Sequence, residues 1–124
     1  MSTILLVEDD PDIRYMVSHK LTRGGFTVTE VADGPAALRA AHREPPDLVI
    51  LDVRMPRMSG LEVCRELRAG ARTARVPIIM LTARARPQDL EQAYAAGATE
   101  YVVKPFSPRA LLERVESTLA RVAH

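Results

Sequence analysis

The sequence predicts an α/β domain: one doubly wound, five-stranded parallel sheet flanked by five helices. Three observations carry that prediction. Short runs of Val, Ile and Leu recur along the 124 residues. Segments with helical spacing of apolar residues separate them, and polar residues follow the runs at their carboxyl ends. Continuous apolar character over a few residues suits strands covered on both faces, as parallel strands are.

The strands are predicted at Ile4-Val7, Thr27-Val31, Leu48-Leu51, Val76-Leu81 and Tyr101-Val103, the second being the weakest. Pro11 to Arg23 forms the first helix, with Ile13, Met16, Val17 and Leu21 as its stripe, Asp10 as its cap and Gly24-Gly25 as its stop. Gly34-Arg43 forms the second, through Ala37, Leu38 and Ala41, and is ended by Glu44-Pro45-Pro46. Leu61-Ala69 follows, with Ser59 and Glu62 as a capping box. Pro87-Ala96 runs to Gly97, and Ser107 caps a last helix from Arg109 to about Val122, with Leu111, Leu112, Val115 and Leu119 inward.

This β-α alternation runs through residues 1–124 with no visible linker, so the chain reads as one domain. For five strands the economical arrangement is the flavodoxin-like order 2-1-3-4-5. Ligands there bind beyond the carboxyl ends of the strands, where strand order reverses between strands 1 and 3. Glu8-Asp9-Asp10, Asp52, Thr82 and Lys104 all stand at such ends. The predicted order makes them one continuous patch.

Composition narrows the function. Seventeen basic and sixteen acidic residues leave a net charge of +1, which gives no general nucleic-acid surface. The arginines at 65, 68, 72 and 75 read as a solvated helix face and loop. The single cysteine, Cys64, excludes an internal disulfide and reads as a packed helix thiol. The start MSTILLV lacks a signal peptide's features and no run is long enough to span a membrane, so a cytoplasmic chain without a membrane partner is expected.

Glu8, Asp9 and Asp52 are expected within a few ångströms of one another, where two like charges about 4 Å apart repel by roughly 4 kcal/mol at an effective dielectric near 20. Hard oxygen donors without His or Cys suit magnesium, with manganese as a substitute. Asp52 can act as a nucleophile towards phosphorus, giving an aspartyl phosphate. Thr82 and Lys104 would supply a hydroxyl and an ammonium to the phosphoryl oxygens. Only Lys20 and Lys104 are lysines among the 17 basic residues. The Lys104-Pro105 bond is expected to be cis. Each residue alone could be a cap or a surface group; together they would be four separate accidents at four strand ends.

The stretches ILLVEDD (Ile4-Asp10), VILDVRMPRMSG (Val49-Gly60), IIMLTA (Ile78-Ala83) and YVVKPF (Tyr101-Phe106) resemble the signature regions of the receiver domain of two-component response regulators, over the whole chain. The resemblance implies that Asp52 accepts a phosphoryl group from a histidine kinase or a histidine phosphotransfer protein. It implies that Asp9 binds magnesium directly, Glu8 through water, and Arg54 through its backbone carbonyl, with Asp52 as a further ligand. It makes Thr82 and Tyr101 the switch pair, and the fourth helix, fifth strand and fifth helix the output face towards a downstream protein or a fused effector domain. The chain would be a signalling switch that assists its own phosphorylation and dephosphorylation, not a metabolic enzyme.

Arg54 and Arg84, two residues after Asp52 and Thr82, stand where the family varies; they are expected to modulate the phosphate's lifetime towards slow hydrolysis. Many receivers joined to winged-helix DNA-binding domains pair through salt bridges across the output face. Glu100 and Arg114 could supply one such pair, but Leu90, Ala110 and Glu116 occupy positions where charged partners are typical, so a monomer or weak dimer is expected. No DNA-binding domain follows Val122, which leaves direct nucleic-acid binding unsupported; a stand-alone regulator and a receiver cut from a longer protein both remain open. Three alternatives compete. A flavodoxin-like carrier needs a phosphate-cradling loop after strand 1, where Glu8-Asp9-Asp10 would repel it. An aspartyl-phosphate phosphatase typically carries an acid at the position of Arg54. A degenerate receiver acting as a phosphorylation-independent binding module would not need Asp9, Asp52, Thr82 and Lys104 intact.

Overall fold

The computed structural model describes residues 2–122. Residues 1, 123 and 124, at the limits of the expected domain, lie outside the described residues. The order is β1 (Thr3–Val7), α1 (Pro11–Arg23), β2 (Thr27–Val31), α2 (Gly34–Arg43), β3 (Leu48–Asp52), α3 (Gly60–Ala69), β4 (Ile78–Thr82), α4 (Pro87–Ala96), β5 (Glu100–Val103) and α5 (Pro108–Val122). All strand pairs are parallel and the sheet order is β2-β1-β3-β4-β5, as expected.

Strand alternation divides the core into two layers. Leu5, Val7, Val49, Leu51, Ile78 and Met80 face α2, α3 and α4, where Ala37, Ala41, Val63, Leu67 and Ala93 meet them. Ile4, Leu6, Leu48, Ile50, Ile79 and Leu81 face α1 and α5, against Val17, Leu21, Leu111 and Val115. The central strands β3 and β4 are buried throughout, and each large side chain taken from water contributes about 1.5–3 kcal/mol.

The expected caps form. The Asp10 carboxylate accepts from the amides of Asp12 and Ile13, Ser59 and Glu62 complete their capping box, and Ser107 Oγ accepts from the Ala110 amide. Asp33 caps α2 as well. α4 has Arg86 at its N-cap position with no side-chain cap hydrogen bond, and buries only Ala93 and Ala96.

Some boundaries and burials differ from expectation. Asp52 and Thr82 are the last residues of their strands rather than the first beyond them. Val76 and Pro77 stay outside β4, where Val76 instead closes a turn onto Thr73. Met16 is 38% exposed and Ser18 replaces it inside, because Ser18 Oγ donates to Glu30 Oε2 at 2.9 Å on β2. Arg68 is not solvated: it is half-buried and donates to the carbonyls of Gly97 (2.9 Å), Ala74 (3.2 Å) and Val76 (2.6 Å) and to Thr99 Oγ1 (3.3 Å). Its long stem reaches across the mouth of the α3–β4 connection, where free carbonyls wait for a donor. Arg72 likewise donates to the His42 carbonyl at 3.0 Å.

Candidate functional site

Strand order brings Glu8, Asp52 and Lys104 together. Asp52 follows Leu48 and Ile50 in phase, Glu8 follows Ile4 and Leu6, and Lys104 follows Val102, so all three continue the layer facing α1 and α5. Lys104 Nζ lies 3.1 Å from Glu8 Oε1 and 3.2 Å from Asp52 Oδ2. The peptide bond between Lys104 and Pro105 is cis, as expected. The Lys104 amide donates to the Thr82 carbonyl at 2.7 Å, which fixes the base of that side chain to β4.

Asp9 completes an acidic cluster: carboxylate oxygens of Glu8, Asp9 and Asp52 all lie within 4.8 Å of one another. Glu8 is fully buried and Asp9 exposed. Burial raises the Glu8 carboxyl, and the neighbouring Asp52 raises it further, to about 7. Burial works against the Lys104 ammonium, but Glu8 and Asp52 outweigh it and hold the group above its ordinary value. One cation thus faces three acids.

The cluster fits a hard divalent cation. Every donor is oxygen, and Glu8 Oε1, despite its ion pair with Lys104, is a buried oxygen that accepts no aligned hydrogen bond. Glu8 Oε2 accepts the Asp10 amide at 3.2 Å, and Asp52 Oδ1 accepts the Arg54 amide at 3.2 Å. These bonds hold the two carboxylates in place and leave Asp9 open to solvent.

A cavity of about 370 Å³ opens over the cluster. Glu8, Asp9, Asp52, Thr82 and Lys104 all line it, and so do Arg54 and Arg84. Both arginines are exposed, and of Arg54 it is the backbone that touches Asp52. The Thr82 hydroxyl donates to the Arg84 carbonyl at 2.9 Å and accepts from the Arg84 amide at 3.0 Å. It is therefore turned onto the β4–α4 loop.

Tyr101 is not part of this cavity. It is half-buried among the residues of the α4 side, its ring set edge-on against Tyr94 at 5.7 Å and 77°. Beside it on β5, Glu100 points to the α5 side and is clamped within the chain, by Arg114 Nη1 at 3.0 Å and Arg121 Nη2 at 2.7 Å. The charge read from sequence as one half of a pair across a dimer is satisfied internally.

Two supports of the site escaped sequence reasoning. Arg14 Nη1 donates to the Glu8 carbonyl at 2.7 Å, and no local pattern marks that arginine among its neighbours. Gly60 begins α3 so close to β3 that a Cβ there would collide with the Asp52 carbonyl oxygen and come within 2.8 Å of Val53 Cα. Its amide donates to the Val53 carbonyl at 2.8 Å. The glycine was visible in the quoted motif; its reason was not.

Comparison with known proteins agrees with this geometry. The sequence profile described as the response regulator receiver domain matches residues 4–116. The DNA-binding response regulator MtrA of Mycolicibacterium smegmatis is 43% identical over 118 residues, covering 95% of this chain and 50% of that protein. The chain spans about half the length of the curated relatives it matches. Among solved structures, the chemotaxis protein CheY4 of Vibrio cholerae superposes with a TM-score of 0.91 at 39% identity, over 94% of this chain and 98% of that one. The receiver domain of the sensor histidine kinase PA1611 of Pseudomonas aeruginosa, solved with a magnesium ion coordinated in its active site cleft, gives 0.89 at 39% identity, over 96% and 98%. With that profile matching residues 4–116 and a relative 43% identical over 95% of its length, this chain belongs to the response regulator receiver domain family.

Proposed function

We propose that residues 1–124 form a phosphorylation-dependent signalling switch in which Asp52 is the phosphoacceptor. The observation that carries this reading is the Asp52 carboxylate itself, held at the end of the central strand, 3.2 Å from Lys104 Nζ and open to a cavity lined by Asp9 and Thr82. An oxygen of Asp52 attacks the phosphorus of a phosphohistidine on a histidine kinase or a histidine phosphotransfer protein. The new P–O bond forms as the P–N bond breaks, and the electron pair leaves with the imidazole nitrogen. The product is an aspartyl phosphate.

Asp9 and Asp52 would hold magnesium directly, Glu8 through water and Arg54 through its backbone carbonyl. When bound, the ion supplies charge neutralisation at the phosphoryl oxygens. Lys104 orients a phosphoryl oxygen from the β5 side, and Thr82 leaves the Arg84 carbonyl to donate to another. Arg54 and Arg84 stand at the approach and modulate hydrolysis. The Thr82 shift then biases Tyr101 and the face built by α4, β5 and α5, which contacts a downstream protein or a fused effector domain. Among the described residues no helix is long and apolar enough to cross a membrane, and we place the chain in the cytoplasm with its kinase.

The test is incubation with acetyl phosphate and magnesium followed by intact mass measurement. The expected gain is one phosphoryl group, absent in Asp52→Asn and absent when metal is chelated. A gain that survives Asp52→Asn assigns the acceptor elsewhere and sinks the scheme.

A further inference from the structure

We propose that Tyr94 is a positioning residue for the switch: its ring latches Tyr101 on the α4 side, and that contact must open before Tyr101 can follow Thr82. The inference rests on the phosphoacceptor reading above, in which Thr82 turns towards a phosphoryl group on Asp52.

Thr82 and Tyr101 occupy one face of the sheet. Ile78, Met80 and Tyr101 pack in the layer beneath α3 and α4, and Thr82 is the next residue in phase after Met80 on the adjacent strand. Tyr101 therefore has a path along that face. Its main chain does not have one. The residue pairs with Met80 in the sheet, and its carbonyl accepts from Arg114 Nη1 at 3.3 Å. Glu100 beside it is held by two arginines of α5. What is free to move is the ring, by rotation about its side-chain torsions.

Tyr94 is what the ring leans on. Its edge-to-face geometry, 5.7 Å and 77°, is a favoured aromatic arrangement. Tyr94 itself is 47% exposed, so core packing does not explain its presence on α4. The helix that carries it has no side-chain cap and only two buried alanines, so the aromatic contact is a substantial part of what joins this face of α4 to β5. Breaking the contact is a cost levied on the switched state and not on the resting one. Removing Tyr94 should then favour the switched state.

The test uses the whole chain labelled with 13C at its three tyrosines. Wild type, Tyr94→Ala and Tyr94→Phe are titrated with beryllium fluoride in magnesium, a mimic of the phosphoryl group, and the Tyr101 ring resonance is followed. Tyr94→Ala is expected to lower the titration midpoint by about 3-fold to 10-fold, the equivalent of one aromatic pair. Tyr94→Phe keeps the ring and should stay within about two-fold of wild type on the same reasoning. Thermal melting of each variant confirms that it is folded. Equal midpoints for Tyr94→Ala and wild type overturn the latch, and so does a Tyr94→Phe midpoint that follows Tyr94→Ala, which would assign the effect to the hydroxyl. A wild type that does not respond to the mimic overturns the phosphoacceptor reading instead. The latch is then decided in the free protein by the χ1 couplings of Tyr101: a spread of rotamers in Tyr94→Ala alone supports it, and one rotamer in all three chains refutes it.

Discussion

Lys104 Nζ lies 3.2 Å from Asp52 Oδ2, and the same ammonium stands 3.1 Å from Glu8. With Asp9 nearby, formal charges sum to a surplus of two negatives at one sheet edge. Asp52→Asn removes one of them and should raise stability by about 1 kcal/mol, roughly 4 °C in melting temperature for a domain of this size. Magnesium at ten times its dissociation constant should stabilise the wild type by about 1.4 kcal/mol, and Asp52→Asn should respond more weakly. Thermal melts with and without metal decide both points. A lower melting temperature for Asp52→Asn would show that the Lys104 pair outweighs the crowding of the acids.

Gly60 sets the distance between α3 and the strand that carries Asp52. In an ordinary helix Ala is favoured over Gly by about 1 kcal/mol. Here the added methyl group would meet β3 backbone, which cannot step aside as a side chain could. Gly60→Ala should therefore destabilise by about 2 kcal/mol, read as a lower urea midpoint at unchanged slope. An unchanged midpoint would mean that α3 can slide.

Arg68 satisfies three carbonyl groups and a hydroxyl with one guanidinium. Arg68→Leu leaves those acceptors without their donor and should cost about 2–3 kcal/mol. Arg65→Leu, at an exposed position on the same helix, should stay within about 0.5 kcal/mol of wild type. Chemical denaturation of the two variants side by side separates a buried pin from a surface charge.

Thr118 is fully buried in α5 and its hydroxyl has no hydrogen-bond partner among the described residues. A buried hydroxyl without a partner costs free energy, and Val has nearly the same shape and a similar helix propensity. Thr118→Val should stabilise the chain by about 1 kcal/mol with no change in phosphorylation. Differential scanning calorimetry checks the first half and intact mass the second.

The sequence by itself determined the architecture and the gathering of Glu8, Asp52, Thr82 and Lys104 at one sheet edge. Apolar runs of strand length alternating with helical stripes leave few sheets to build. Once strands 1, 3, 4 and 5 are neighbours, Glu8, Asp52, Thr82 and Lys104 must share an edge, and the structure places all four around one cavity with Asp9. These features are local in sequence: a period, a cap, a residue at a strand's end. Tertiary structure decided the pairings. Arg68 reads as one more surface arginine until the α4–β5 turn, 29 residues away, brings the Gly97 carbonyl to it. Glu100 reads as one half of a pair across a dimer until α5 folds back with Arg114 and Arg121. Thr82 reads as a donor to phosphoryl oxygens, and only the fold shows its hydroxyl bonded to the Arg84 backbone; Tyr101 acquires its ring partner Tyr94 only once α4 is in place. A side chain's partner depends on which distant segment passes within about 3 Å of it. Spacing along the chain carries no record of that distance.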